Sequence, residues 1–168
     1  MEKQHTARVW TFGDDINTDL ILPGFALWQP VAEQPRHCFS ANRPGWSAQV
    51  LPGDLIVAGR NFGTGSGRPI GQVFAGLKIG GIVAESFNGL GMRNCINAGI
   101  PVLPCPGIAG AFKEGEIAEV GWRTGLVRNA GTGATVQGVP LPVALQQIVE
   151  AGGVFAALKK EGFIASDA

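Results

Sequence analysis

An α/β fold with a central βαβαβ unit and flanking β-structure is predicted by three features of the sequence. Residues 54–58, 82–84 and 100–103 are short, unbroken apolar runs, as expected of strands buried on both faces. The segments between them, 70–79 and 87–98, carry apolar residues at helical spacing. After Pro106 the texture changes to short β-like pieces separated by turns. Strand, helix, strand, helix, strand in close succession implies a parallel sheet. No repeat or linker divides the chain, so residues 1–168 are expected to form one domain.

Taken in order, residues 7–12 (ARVWTF) predict the first strand, and GDDINTD a turn, because Asp and Asn bond their own backbone. Residues 20–22 read as a short strand closed by Pro23-Gly24. Residues 28–46, with Pro30, Pro35 and Pro44, read as a long excursion with at most one short helix, of a length often given to binding. Pro52-Gly53 turns the chain into the strand at 54–58. In the helix at 70–79, Ile70, Val73, Phe74 and Leu77 share a face, and Gly80-Gly81 is its stop. The segments 116–120, 125–129 and 134–139 suggest an antiparallel meander or small barrel. Residues 142–151 and 154–160 predict two closing helices, with Pro142 suited to a first turn.

Composition excludes several functions. Thirteen basic and 13 acidic residues give zero formal net charge, and no basic run is present, which disfavours a nucleic-acid partner. The polar start MEKQHTARVW lacks a signal-peptide core, and no apolar run reaches the roughly 20 residues that span a bilayer. A cytoplasmic protein is expected. Charged residues are 15% of the chain, a low share that favours life in a complex. Cys38, Cys95 and Cys105 are odd in number and without CxxC spacing, so neither a disulfide framework nor a structural zinc site is expected. Buried small residues or ligands of an iron–sulfur cluster are the two readings left for them.

The stretch 61–70, NFGTGSGRPI, follows the apolar run at 54–58 and precedes a helix. Such a turn can bind an anion on main-chain N–H groups at the helix start, and glycines let a ligand approach. Ser66 would stand at the turn, with Arg68 near the first helical turn and Pro69 inside it. A guanidinium fits a carboxylate through two parallel bonds. The spacing matches neither a Walker loop nor GxGxxG. On these residues alone, an anion-binding turn and a plain strand-to-helix turn both remain open.

Four segments narrow the choice. GDDINTDLILPG, PGDLIVAGRNFGTGSGRP, GIVAESFNGLGMRNCINAGIPVL and PVALQQIVEAGGVFAALKK, in this order, resemble the small subunit of 3-isopropylmalate dehydratase, the stand-alone form of the aconitase swivel domain. The resemblance runs over nearly the whole chain. It implies an aconitase-like swivelling β/β/α domain with small β-barrel-like strands, and a hydro-lyase subunit that dehydrates and rehydrates a hydroxy-dicarboxylic acid in leucine biosynthesis. It implies Ser66 as base, Arg68 as substrate-carboxylate ligand, and Gly65, Gly67, Thr18 and Asp19 as further substrate-site residues. Phe25, Leu27 and Trp28 fall on the loop that sorts substrates. No cofactor or metal is expected in this chain. A [4Fe–4S] cluster is expected in a large-subunit partner, in a heterodimer or heterotetramer, with self-association of the isolated chain as a further expectation.

Two departures bear on the substrate. The family's usual Gly-x-Gly-Ser-Ser-Arg-Glu reads here with Gly67 for the second serine and Pro69 for the glutamate. The sorting loop is Phe25-Ala26-Leu27-Trp28, where basic or tyrosine-bearing loops are common. Related acids, such as a methylated malate or a homoaconitate-type substrate, and a non-catalytic swivel domain therefore stay open as alternatives.

Overall fold

The computed structural model describes residues 4–165, which form a seven-stranded sheet with helices. Strands β1 (His5–Thr11), β2 (Leu55–Ala58), β3 (Gly81–Ala84) and β4 (Val102–Pro104) lie side by side and parallel, and β1 is also antiparallel to β5 (Ile117–Val120). Strands β6 (Leu126–Asn129) and β7 (Thr135–Gln137) continue the meander, giving the order β4-β3-β2-β1-β5-β6-β7.

Alternation along the strands builds two cores. Val9, Leu55, Val57, Val83, Leu103, Ala118, Val120 and Val127 face inward with Cys105, Ile108 and Phe112. Trp10, Ile56, Ala58, Ile82, Ala84 and Val102 face the other way, onto the helices. This explains the unbroken apolar runs, since each parallel strand is covered on both faces. β5–β7 instead turn one face to water, where Arg128 pairs with Glu119 at 2.8 Å. The sheet curls until its edges meet: the Val139 N–H donates to the Pro104 carbonyl at 2.8 Å. The barrel-like character thus includes the parallel strands and is not confined to the flanking ones.

Helices α3 (Ile70–Gly76) and α4 (Gly89–Asn97) cross between β2, β3 and β4, and α5 (Val143–Glu150) and α6 (Val154–Lys160) pack on α4. α3 ends earlier than its apolar spacing predicts. Lys78 adopts φ 56°, and the Ile79 N–H reaches back to the Phe74 carbonyl at 3.1 Å, so a left-handed lysine stops the helix before Gly80-Gly81. Pro69 and Pro142 sit at the helix caps, one position before the expected first turn.

The expected strand at 20–22 is a correction. Residues Thr18–Ile21 form a single helical turn, α1, because the Asn17 side chain accepts the Leu20 N–H at 2.9 Å and caps it. The excursion at 28–46 is irregular, as expected. It holds a 3₁₀ turn, Gln34–His37, and leads into a short helix, α2 (Trp46–Gln49). Phe39 and Trp46 are fully buried: Phe39 stacks on Phe12 at 4.3 Å, and Trp46 meets Phe39 edge-on at 4.9 Å. Cys38, Phe39 and Trp46 of this segment seal the helix-side core, while most of its other residues stay exposed or half-buried.

Candidate active site

Loops at the carboxyl ends of β1, β2 and β3 converge on one rim, the usual ligand position of a parallel sheet. The loop after β1 lies beside the loop after β2. The Thr18 N–H donates to the Thr64 carbonyl and the Gly63 N–H to the Ile16 carbonyl, both at 2.8 Å. The loop after β3 joins them: the Phe62 N–H donates to the Ser86 carbonyl at 3.0 Å and the Asn88 N–H to the Phe62 carbonyl at 2.9 Å. Asn61, at φ 58°, is pinned by the Ser86 hydroxyl, which accepts its N–H at 2.9 Å, and donates its side-chain amide to Asp15 at 2.9 Å.

The three alternating glycines have separate tasks. Gly63 (φ 77°) lies against Gly91 of α4, where an added Cβ would come within 2.4 Å of the Gly63 carbonyl oxygen. Gly65 (φ 105°) lies against Thr18, whose Oγ1 would be 3.0 Å from an added Cβ. Both serve close packing and an uncommon backbone conformation. Gly67 faces open space, with the Leu90 Cδ2 3.9 Å from an added Cβ as its nearest neighbour.

Ser66 is exposed, and its hydroxyl makes one long contact, 3.4 Å, with the Thr18 hydroxyl. Arg68 is half-tucked, its side chain 16% exposed. Its guanidinium donates to the Leu22 carbonyl and pairs with Asp19 at 2.9 Å. Asp19 is 65% exposed, so this pair orients the arginine without adding much stability.

The expected helix-start donors are a correction. The Ile70 N–H donates to the Arg68 carbonyl at 2.8 Å, and the Gly71 N–H to the Asn94 side chain at 2.8 Å. Asn94, on α4, thus serves the first turn of α3. Arg68 precedes the helix rather than lying in its first turn. The N–H groups of Gly65, Ser66 and Gly67 have no partner among the described residues, so the free donors belong to the turn itself.

Phe25, Leu27 and Trp28 lie on a 3₁₀ turn, Gly24–Trp28, that begins at the arginine, since a Cβ on Gly24 would be 3.8 Å from Arg68 Nη2. Phe25 is 56% and Trp28 89% exposed, while Ala26 is buried and anchors the turn. Phe25 meets His37 edge-on at 5.2 Å. Leu90, which the sequence sets alone between Gly89 and Gly91, lies exposed in the first turn of α4, its Cδ2 3.9 Å from the position a Cβ on Gly67 would take.

The three cysteines are buried, and Cys105 packs on the opposite face of the sheet from Cys38 and Cys95. They cannot share one cluster. Burial pushes the Cys38 thiol well up, the Cys95 thiol to about 12, and, with the Glu85 charge adding to burial, the Cys105 thiol to about 11. Among the described residues no three His, Cys, Asp or Glu side chains gather as a metal site, and no helix is long and apolar enough to cross a membrane.

An arginine, a hydroxyl and unpartnered amides gather where the parallel strands end, on the open rim of a mixed α/β fold with a curled seven-stranded sheet. No protein-family model matches the chain. It is 43% identical over 159 residues to a 3-isopropylmalate dehydratase small subunit of Methanopyrus kandleri, covering 92% of each chain. It is 39% identical to the isopropylmalate/citramalate isomerase small subunit of Methanocaldococcus jannaschii, covering 92% of this chain and 93% of that one. A crystal structure of 3-isopropylmalate dehydratase from Methanocaldococcus jannaschii superimposes with a TM-score of 0.89 at 29% identity, covering 96% of both chains. The chain belongs to the 3-isopropylmalate dehydratase small-subunit family, whose members are hydro-lyase subunits that work with a large subunit.

Proposed function

We propose that residues 1–168 act as one swivel domain, the small subunit of a cytoplasmic two-subunit hydro-lyase that interconverts 2- and 3-isopropylmalate in leucine biosynthesis. The observation that carries this reading is the meeting of two distant motifs at one rim, with Thr18 against Ser66 and Asp19 against Arg68. Arg68 holds one substrate carboxylate through the guanidinium edge left by Asp19 and Leu22. The unpartnered N–H groups of Gly65, Ser66 and Gly67 complete the cradle for anionic oxygen. Ser66, as the alkoxide, takes the proton from the carbon next to a carboxylate, and that electron pair forms the double bond as the adjacent C–O bond breaks. The departing hydroxide takes a proton from an acid of the complex or from solvent to leave as water. The reverse addition returns hydroxyl and proton to the opposite carbons. A [4Fe–4S] cluster in the large subunit would supply the Lewis acid that this chain lacks.

A second reading has a specific support, the name of the Methanocaldococcus jannaschii relative: a methyl-bearing acid such as citramalate in place of, or beside, isopropylmalate. Co-expression with the large subunit tests both. The reconstituted complex is expected to interconvert the isopropylmalates with the cluster intact, and this chain alone to be inactive. A cluster-loaded complex that turns over neither isopropylmalate nor citramalate would rule the reading out.

A further inference from the structure

Resting on that reading, we infer that Leu90 is a specificity-determining residue: its isobutyl group forms an apolar wall for the alkyl substituent of the substrate, opposite the Gly24–Trp28 turn. Leu90 is 42% exposed in the first turn of α4. Its Cδ2 lies 3.9 Å from the position a Cβ on Gly67 would take, and Gly67 stands between Ser66 and Arg68. The wall beside the proposed base is thus main chain and one branched alkyl group, with no side-chain polar atom from residue 67.

The position of Leu90 is fixed rather than adventitious. Asn88 caps α4 by accepting the Leu90 N–H at 3.0 Å, and its own N–H is held by the Phe62 carbonyl. Gly91 is locked against Gly63 with no room for a side chain. Gly89 and Gly91 have no side chains, so in this stretch only Leu90 projects toward the loop. On the other side, Gly24 lies beside the Arg68 guanidinium and leads into Phe25 and Trp28. A substrate whose carboxylate sits on Arg68 meets the Leu90 alkyl group beside Gly67, an environment suited to a branched alkyl group, while Arg93 Nη1 lies 3.9 Å from the position a Cβ on Gly89 would take.

The test uses the complex with the large subunit and a series of malates bearing methyl, ethyl and isopropyl at C3. Leu90→Ala is expected to lower the ratio of kcat/KM for the isopropyl over the methyl compound about tenfold, the range for apolar groups lost from a pocket. Leu90→Met should restore it to within about twofold. Size exclusion and thermal unfolding of each variant complex separate this effect from loss of fold or assembly. An unchanged ratio overturns the inference, whether turnover falls equally for all substrates or subunit association weakens. A wild-type complex inactive on the whole series instead overturns the reading beneath it.

Discussion

Asn129 and Ser66 are both polar side chains beside glycine-rich turns, at opposite sides of the sheet. Asn129 is buried, and its amide is fully used: it donates to the Ala111 carbonyl at 3.0 Å and to Glu116 at 2.7 Å, and accepts from the Gly131 and Thr132 N–H groups. Ser66 is exposed, with one long contact and free amides on both sides. The antiparallel half closes its polar groups on themselves, while the rim above the parallel strands leaves them unspent. A buried polar group must be satisfied within the fold, whereas the proposed function gives the rim's unspent groups to the substrate.

The contrast is broken most severely at the rim. Ser66→Ala in the assembled complex is expected to cost about 100-fold or more in kcat, as for loss of a general base. The melting temperature should stay unchanged, because the 3.4 Å contact contributes little. Near-normal turnover would remove Ser66 from the proposed role. Asn129→Ala should do the reverse. It strands the Gly131 and Thr132 N–H groups and the Ala111 carbonyl, costing about 2 kcal/mol in urea unfolding. The kcat of complex that remains folded should be unaffected.

Gly91→Ala tests whether the two halves separate as cleanly as this pair suggests. Its Cβ would press on the Gly63 carbonyl, so α4 or the loop must shift, at about 1–3 kcal/mol. Because the same loop carries Ser66 two residues past Thr64, this substitution should lower both stability and kcat. A loss of stability alone would mean that the loop yields at Gly63 without moving the site.

Legibility followed the same line. The parallel strands were readable because burial on both faces leaves an unbroken apolar run, and the meander because its turns are spelled in glycine. Residues 20–22 misled because three apolar residues after a polar turn suit a strand or a helical turn equally, and the Asn17 cap decides between them. Ser66 and Arg68 were singled out by the family resemblance of their motif, since type and spacing alone left a plain strand-to-helix turn open. Their contacts were not legible, since the pairing of Asp19 with Arg68, the Asn94 cap on α3 and the approach of Leu90 to Gly67 join segments far apart in sequence. The curl that brings Val139 to Pro104 is likewise a property of the whole sheet.

The smallest effect lies at the amino end of β2, away from the rim. Asp54 is buried beside Arg8. Burial pushes its carboxyl up, but hydrogen bonds from Arg8, the Leu51 N–H and the Trp10 indole, with the Arg8 charge, outweigh this and hold it below the usual carboxylate range. The unfolded chain therefore binds this proton at higher pH than the folded one. The stabilisation is fully present above the ordinary value of about 4 and is lost as pH falls through the lower folded value. Glu114, held down mainly by its hydrogen bond from Arg43, contributes in the same direction. Asp54→Asn should therefore flatten, without abolishing, the fall in urea midpoint below pH 4, and leave kcat at pH 7 unchanged. An identical acid slope in the variant would mean that Arg8 and Asp54 are not paired in solution. A changed kcat would mean that the two ends of β2 are coupled, against the division drawn from Asn129 and Ser66.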